Sequence, residues 1–258
     1  MAGCCFKSVT VMKETFDIIA GPCSAESERQ LYDTASGLNG IGIRTMRVGL
    51  WKPRSRYGSF EGLGELALPW LKNIRHDFGM EVMTEVALPS HIEVALKYGI
   101  DKLWIGARTT VNPFMITELA EALRGVEIPV FIKNPVCPDV ELWKGAVERI
   151  MKYGLSDVRL IHRGFCLQDN TPYRNTPLWN ICSEVRKEFG HIPLYCDPSH
   201  ISGRRDLIEG ICVDALKYDI QGFFIESHCN PDAALSDSGQ QLTPLQLKDL
   251  LDKLLDSI

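Results

Sequence analysis

The feature that most constrains this chain is a repeated order: a short β-rich run, then a longer stretch with helical spacing, eight times over. The runs are 16–20 (FDIIA), 41–48 (IGIRTMRV), 81–86 (EVMTEV), 102–107 (KLWIGA), 128–133 (IPVFIK), 158–163 (VRLIHR), 192–197 (IPLYCD) and 222–227 (GFFIES). The helical stretches are 27–38, 61–78, 89–98, 114–123, 140–153, 178–189, 205–218 and 244–255. Strands joined through helices pair in parallel, and each crossover is right-handed. Eight such units in 258 residues, close to the roughly 250 typical of a closed barrel, predict an α/β chain folded as a single (β/α)8 TIM barrel over 1–258. An open doubly wound sheet is the alternative.

Composition narrows the function classes. Hydrophobic residues make up 45% and charged residues 24%, so the chain is not of the disordered type. A formal net charge of -5 argues against a general nucleic-acid binder and makes any basic cluster a local feature. No apolar run reaches the ~18 residues of a membrane span, and the start MAGCCFKSVTVMKETF lacks a signal-peptide layout. The nine cysteines are odd in number, and several lie inside apolar runs. Reduced thiols in a cytoplasmic protein are the expectation.

In this fold the active site lies at the C-terminal ends of the strands and in the loops that follow. In chain order those ends carry Cys23, Arg47 with Lys52, Glu85, Arg108, Lys133, His162 with Arg163, Asp197 with His200, and Glu226 with Asp237. Arg47, Lys52, Arg108, Lys133 and Arg163 converging on one mouth would repel each other unless an anion sat among them. Arginine grips phosphate or carboxylate through a planar fork, and lysine adds a point charge. Cys23, His200, Glu226 and Asp237 together offer sulfur, nitrogen and oxygen donors, a mixture suited to a borderline divalent cation. By spacing alone a structural Cys23 and a capping Asp237 are equally open readings. No G-x-G-x-x-G or G-x-x-x-x-G-K-[ST] pattern points to a nucleotide, and Gly106 and Gly164 read as turn positions beside a ligand.

Eight ordered segments then carry a family resemblance: IAGPCSAES at 19–27, WKPRSRYGSFEGLG at 51–64, MTEV at 83–86, IGAR at 105–108, IKN at 132–134, HRGF at 162–165, DPSH with Gly203 at 197–203, and IESHCNPDAALSDSGQQL at 225–242. Over nearly its whole length the chain resembles the 3-deoxy-D-arabino-heptulosonate 7-phosphate (DAHP) synthases of the type I beta group. That resemblance implies a metal-dependent, aldol-like condensation of phosphoenolpyruvate with D-erythrose 4-phosphate, opening the shikimate pathway. It implies that Arg108, Lys133 and Arg163 hold the phosphoenolpyruvate phosphate, that Arg47 and Lys52 lie near its carboxylate, and that Arg54 and Ser55 receive the aldose phosphate. Cys23, His200, Glu226 and Asp237 become the ligands of Mn2+, Fe2+, Co2+ or Zn2+, which supplies Lewis acidity. Lys52, Glu85 and His162 are the candidates for orienting water or moving protons, and Asp197 for anchoring aldose hydroxyls or simply satisfying strand-end amides.

Two departures from the family pattern stand out. KPRS at 52–55 replaces the commoner K-P-R-T, and Asn134-Pro135 replaces Arg-Gly or Asn-Gly. The rival readings are a 3-deoxy-D-manno-octulosonate 8-phosphate synthase acting on arabinose 5-phosphate, whose family usually reads K-A-N-R-S, and a non-catalytic barrel kept as a ligand sensor. The resemblance also implies a homo-oligomer, dimer or tetramer. No appended regulatory or chorismate mutase domain is expected within the chain; a chorismate mutase partner would belong to a longer fusion.

Overall fold

The structure is a computed structural model that describes residues 16–53 and 57–255. Its strands are β1 Asp17–Gly21, β2 Thr45–Val48, β3 Glu81–Val86, β4 Lys102–Ile105, β5 Val130–Lys133, β6 Val158–His162, β7 Leu194–Cys196 and β8 Gly222–Glu226. Each pairs in parallel with the next, and β8 pairs back onto β1 to close the barrel. The helices are α1 Glu28–Gly40, α2 Leu68–Phe78, α3 Pro89–Lys97, α4 Ala107–Thr110, α5 Pro113–Ala122, α6 Val140–Lys152, α7 Trp179–Phe189, α8 Pro198–Ser202, α9 Ile208–Ala215 and α10 Pro244–Leu255. The architecture is the (β/α)8 barrel that the alternation predicts.

The differences from the sequence reading have local causes. β2 starts at Thr45 rather than 41 because the backbone amides of Ile41 and Ile43 both fold back to the Leu38 carbonyl, closing α1. β5 starts after Pro129, which has no amide to give a ladder. The long helical stretch at 61–78 resolves into a 3₁₀ turn followed by an α-helix, and that at 205–218 into an α-helix with a 3₁₀ turn on each side. α4 and α8 were not expected, since helices of four and five residues are too short to carry a hydrophobic period.

Strand residues alternate between two cores because successive side chains point to opposite faces. Ile18, Ala20, Met46, Val48, Val82, Leu103, Ile105, Val130, Ile132, Leu160, Leu194, Cys196, Phe223 and Ile225 pack outward against the helices. Ile19, Met83, Trp104, Phe131, Ile161, Tyr195 and Phe224 fill the barrel interior as a separate cluster. Below this plug, Lys102 donates to Glu81 at 2.6 Å and to Thr45 at 2.9 Å, and Arg159 donates to the Tyr195 hydroxyl at 3.2 Å. The interior is therefore packed, and a ligand reaches it only from the opposite end.

Candidate active site

One step beyond the plug, the same inward parity selects the next residue on each strand: Arg47, Glu85, Lys133, Arg163, Asp197 and Glu226. All six are buried. Gly106 holds the corresponding place after β4, where a Cβ would lie 2.0 Å from the Glu85 Oε1 atom. Glycine is required there for the Glu85 carboxylate to keep its position. The sequence thus replaces an apolar layer by a charged one within a single pleat, a substitution that costs stability unless the charges are paired.

Arg47 is only 1% exposed. Its guanidinium lies 4.5 Å from the Phe224 ring centre and 5.0 Å from that of Trp104, the two aromatic tops of the plug. Nη2 stands 3.3 Å from Glu226 Oε1, while Nε and Nη1 have no hydrogen-bond partner. Buried guanidinium donors left unpaired in this way match the needs of an anionic ligand. Beside it, Lys133 Nζ donates to Asp197 Oδ2 at 2.8 Å and lies 4.8 Å from the centre of Phe224. Burial lowers the Lys133 ammonium below its ordinary pKa in spite of Asp197.

Arg163 donates its backbone amide to Asn134 Oδ1 at 2.7 Å and its Nη1 to Asn175 Oδ1 at 2.8 Å. Burial, followed by the nearby Arg174 and Arg108, brings its pKa down to about 10. Asp197 opposes that fall. Arg108 sits on α4 at the exposed rim, with Nη1 donating to the Pro53 carbonyl at 2.5 Å. Lys52 donates to the Cys23 carbonyl at 2.9 Å. Burial opposes its charge, but Cys23, Glu85 and Glu226 outweigh that and hold its pKa above the ordinary lysine value.

On the other side of the mouth, one ligand atom each from Cys23, Glu226 and Asp237 lie within 4.8 Å of one another. Cys23 Sγ is 3.3 Å from Asp237 Oδ2, and Glu226 Oε1 is buried with no hydrogen-bond partner. Burial first, then Glu226 and Asp237, pushes the Cys23 thiol up to about 12. A thiol opposed by two carboxylates becomes a good donor when a cation sits among them, so the donor set fits a divalent metal. His200 flanks the cluster without completing it: Nε2 is 3.7 Å from Glu226 Oε1, and Nδ1 is 2.8 Å from Asp197 Oδ2. Asp197 also accepts the His200 backbone amide at 3.0 Å, capping α8. A carboxylate behind an imidazole is the usual arrangement that orients a metal-ligating histidine.

His162 is a correction. Its parity on β6 is that of Val158 and Leu160, so its side chain faces the helices, with its ring 4.7 Å from that of Trp179 and 5.8 Å from that of Phe165. It is fully buried, and burial lowers its pKa to about 3. The imidazole thus faces away from the charged inward layer. Arg54 and Ser55 lie outside the described residues.

Several residues at the mouth were given no role by the sequence: Arg174 lies outside the family segments, and Asn134, Gln240 and Gln241 lie within them. Arg174 donates to Asp237 Oδ1 at 3.0 Å and to Gln240 Oε1 at 2.8 Å, and Gln240 donates to Glu226 Oε2 at 2.7 Å. The Gln241 side-chain oxygen Oε1 accepts the Cys23 backbone amide at 2.9 Å. Asn134 Nδ2 donates to the Pro135 and Gly164 carbonyls, which ties the IKN and HRGF segments together.

Residues 10–257 match the DAHP synthetase I family. A phospho-2-dehydro-3-deoxyheptonate aldolase of Thermotoga maritima is 33% identical over 239 residues, spanning 93% of this chain and 69% of that protein. A 2-dehydro-3-deoxyphosphooctonate aldolase of Mesorhizobium japonicum is 27% identical over 276 residues, spanning 96% of this chain and 95% of that one. Among solved structures, the T. maritima DAHP synthase superposes with a TM-score of 0.84 at 33% identity, covering 94% of this chain and 69% of its own. A truncated form of the T. maritima enzyme gives 0.81 at 30% identity, covering 94% and 86%. A charged inward layer on a packed barrel, a thiol–carboxylate cluster beside it and these matches converge: the chain belongs to the DAHP synthetase I family.

Proposed function

We propose that this chain condenses phosphoenolpyruvate with D-erythrose 4-phosphate to give 3-deoxy-D-arabino-heptulosonate 7-phosphate and phosphate, the first step of the shikimate pathway. The observation that carries this reading is Arg47, a buried guanidinium with two unpaired donors, 3.3 Å from a carboxylate of the thiol–carboxylate cluster. An anion bound to Arg47 is thereby held next to the electrophile's activating site.

Phosphoenolpyruvate takes the cationic side. Lys133, Arg163 and Arg108 receive its phosphate, and Arg47 and Lys52 its carboxylate. The plug of Trp104 and Phe224 beneath them keeps water from the lower face. Arg54 and Ser55 receive the aldose phosphate. Cys23, His200, Glu226 and Asp237 would hold a divalent cation, Mn2+, Fe2+, Co2+ or Zn2+, and that cation would supply Lewis acidity for activating an aldehyde. C3 of phosphoenolpyruvate then attacks the aldehyde carbon, water adds at C2, and phosphate leaves from the hemiketal phosphate. Lys52, held protonated, and Glu85 beside it are the groups that hold or move protons. Asp197 fixes Lys133 and His200 and is the candidate for anchoring aldose hydroxyls.

We assign the protein to the cytoplasm as a homo-oligomer, dimer or tetramer. Among the described residues no helix is long and apolar enough to cross a membrane, and the seven described cysteines are free thiols. The substrate assignment is tested by incubating the metal-loaded protein with phosphoenolpyruvate and each aldose in turn and identifying the sugar acid by mass. The seven-carbon product from erythrose 4-phosphate is expected. An eight-carbon product from arabinose 5-phosphate alone would move the chain to the reaction named for its relatives at 27% identity.

A further inference from the structure

The segment between β6 and α7 is closed on itself by a Phe165–Thr176 antiparallel bridge. Its residue Arg174 is docked firmly on α8: the backbone amides of Arg174 and Asn175 donate to the Ser202 and Ile201 carbonyls at 3.2 and 3.1 Å. Gly203, in the left-handed region at φ 68°, leaves room for it, since a Cβ there would lie 2.5 Å from the Arg174 Cβ. From this fixed base the guanidinium reaches Asp237 Oδ1 directly and Glu226 Oε2 through the Gln240 amide.

The oxygens that this chain of hydrogen bonds leaves over are the ones that face the cluster. Asp237 Oδ2 points to Cys23 Sγ, and Glu226 Oε1 is buried with no hydrogen-bond partner. Asp237 itself sits at φ 47°, a conformation that costs about 1–3 kcal/mol for a non-glycine residue unless its surroundings hold it. Gln240 opens no donor to solvent either, being buried between its two partners.

We propose that Arg174 is a positioning residue for the metal ligands: with Gln240 it occupies one oxygen of Asp237 and one of Glu226, so that the other two are presented to the cation together with Cys23. This rests on the metal reading given above. Hydrogen bonds of this kind behind metal ligands contribute about 10–100-fold in metal affinity. A guanidinium acting through charge alone would do the reverse, because a cation beside two carboxylates weakens their attraction for a second cation. The sign of the effect therefore separates positioning from bulk electrostatics.

The test is a Co2+ titration of the metal-free full chain, following the thiolate-to-cobalt charge-transfer band of Cys23 and the dissociation constant, for the unaltered protein, Arg174→Gln and Arg174→Lys. Thermal unfolding of each metal-free protein reports folding. Arg174→Gln is expected to weaken Co2+ binding roughly 10–100-fold and to alter the band, with Arg174→Lys recovering most of the affinity. Unchanged or tighter Co2+ binding in folded Arg174→Gln would overturn the proposal while leaving the metal site intact. If Arg174→Gln does not fold, full Co2+ affinity with an unaltered band in folded Gln240→Ala would overturn it instead, because that variant breaks the same link to Glu226 Oε2. No charge-transfer band in the unaltered protein would sink the metal reading and this inference with it.

Discussion

Replacing Asp197 by asparagine tests whether the charged inward layer is held together as described. Asp197 is fully buried, and its Oδ2 atom accepts from Lys133 Nζ at 2.8 Å while lying 2.8 Å from His200 Nδ1. Removing one charge of a buried pair typically costs about 3–5 kcal/mol, because the partner is left uncompensated. Lys133 can relieve part of this by losing its proton. For an ordinary lysine near pH 7 that costs about three pKa units, or ~4 kcal/mol, and burial has already lowered Lys133. The asparagine oxygen also keeps one acceptor for the His200 amide. A loss of about 2–4 kcal/mol is expected, which corresponds to a fall in Tm of roughly 5–15 °C for a domain of this size. The deficit has a pH signature. In the variant, Lys133 is depressed in the folded state, so the unfolded chain binds more protons between the folded pKa and about 10.4. Stability relative to the parent should therefore recover as pH rises. Differential scanning fluorimetry of both metal-free proteins over that range measures it. A Tm within about 2 °C of the parent, or a deficit that grows with pH, would refute the pairing argument.

Gly106→Ala should lower kcat at least about tenfold with the fold kept, because its Cβ would displace the Glu85 carboxylate; steady-state kinetics with a far-ultraviolet spectrum decide it, and unaltered kcat counts against a role for Glu85. His162→Leu should leave kcat/KM within about threefold and make the protein more acid-resistant. A histidine at about 3 when folded and near 6.5 when unfolded costs stability as pH falls between those values, and the leucine variant lacks that cost. Equal acid midpoints for the two proteins, or lost turnover, would restore His162 to the site. Cys23→Ala should abolish metal-dependent turnover while leaving metal-free Tm nearly unchanged, as a kinetic and a thermal assay show together; retained full activity would remove the thiol from the ligand set.

The barrel was legible because its signal is periodic: each strand alternates between two apolar cores, and each helix follows its strand within a few residues. The mouth was legible because the fold names the place to look, and Arg47, Glu85, Lys133, Arg163, Asp197 and Glu226 all share the inward parity of the plug below them. That same parity could have excluded His162, since adjacent strand residues face opposite ways and Arg163 faces inward. Proximity of type in the HRGF segment outweighed it. Arg174 and Asn175 were not legible, and Gln240 and Gln241 were legible only as part of a family segment without a role, because loops carry no period and these contacts reach across 12 to 218 residues of chain. α4 and α8 were missed for a related reason: their capping and placement are set by tertiary contacts with the strand ends.

The central claim is that a cation held by Cys23 and its neighbours activates an aldose beside phosphoenolpyruvate held by the buried arginine and lysine. The most direct measurement follows loss of the phosphoenolpyruvate ultraviolet absorbance with erythrose 4-phosphate, first in the chelated protein and then after adding Mn2+. The account predicts no consumption after chelation, recovery with Mn2+, and one phosphate released for each phosphoenolpyruvate consumed. Undiminished consumption in the fully chelated protein, or none after Mn2+ is restored, would contradict it.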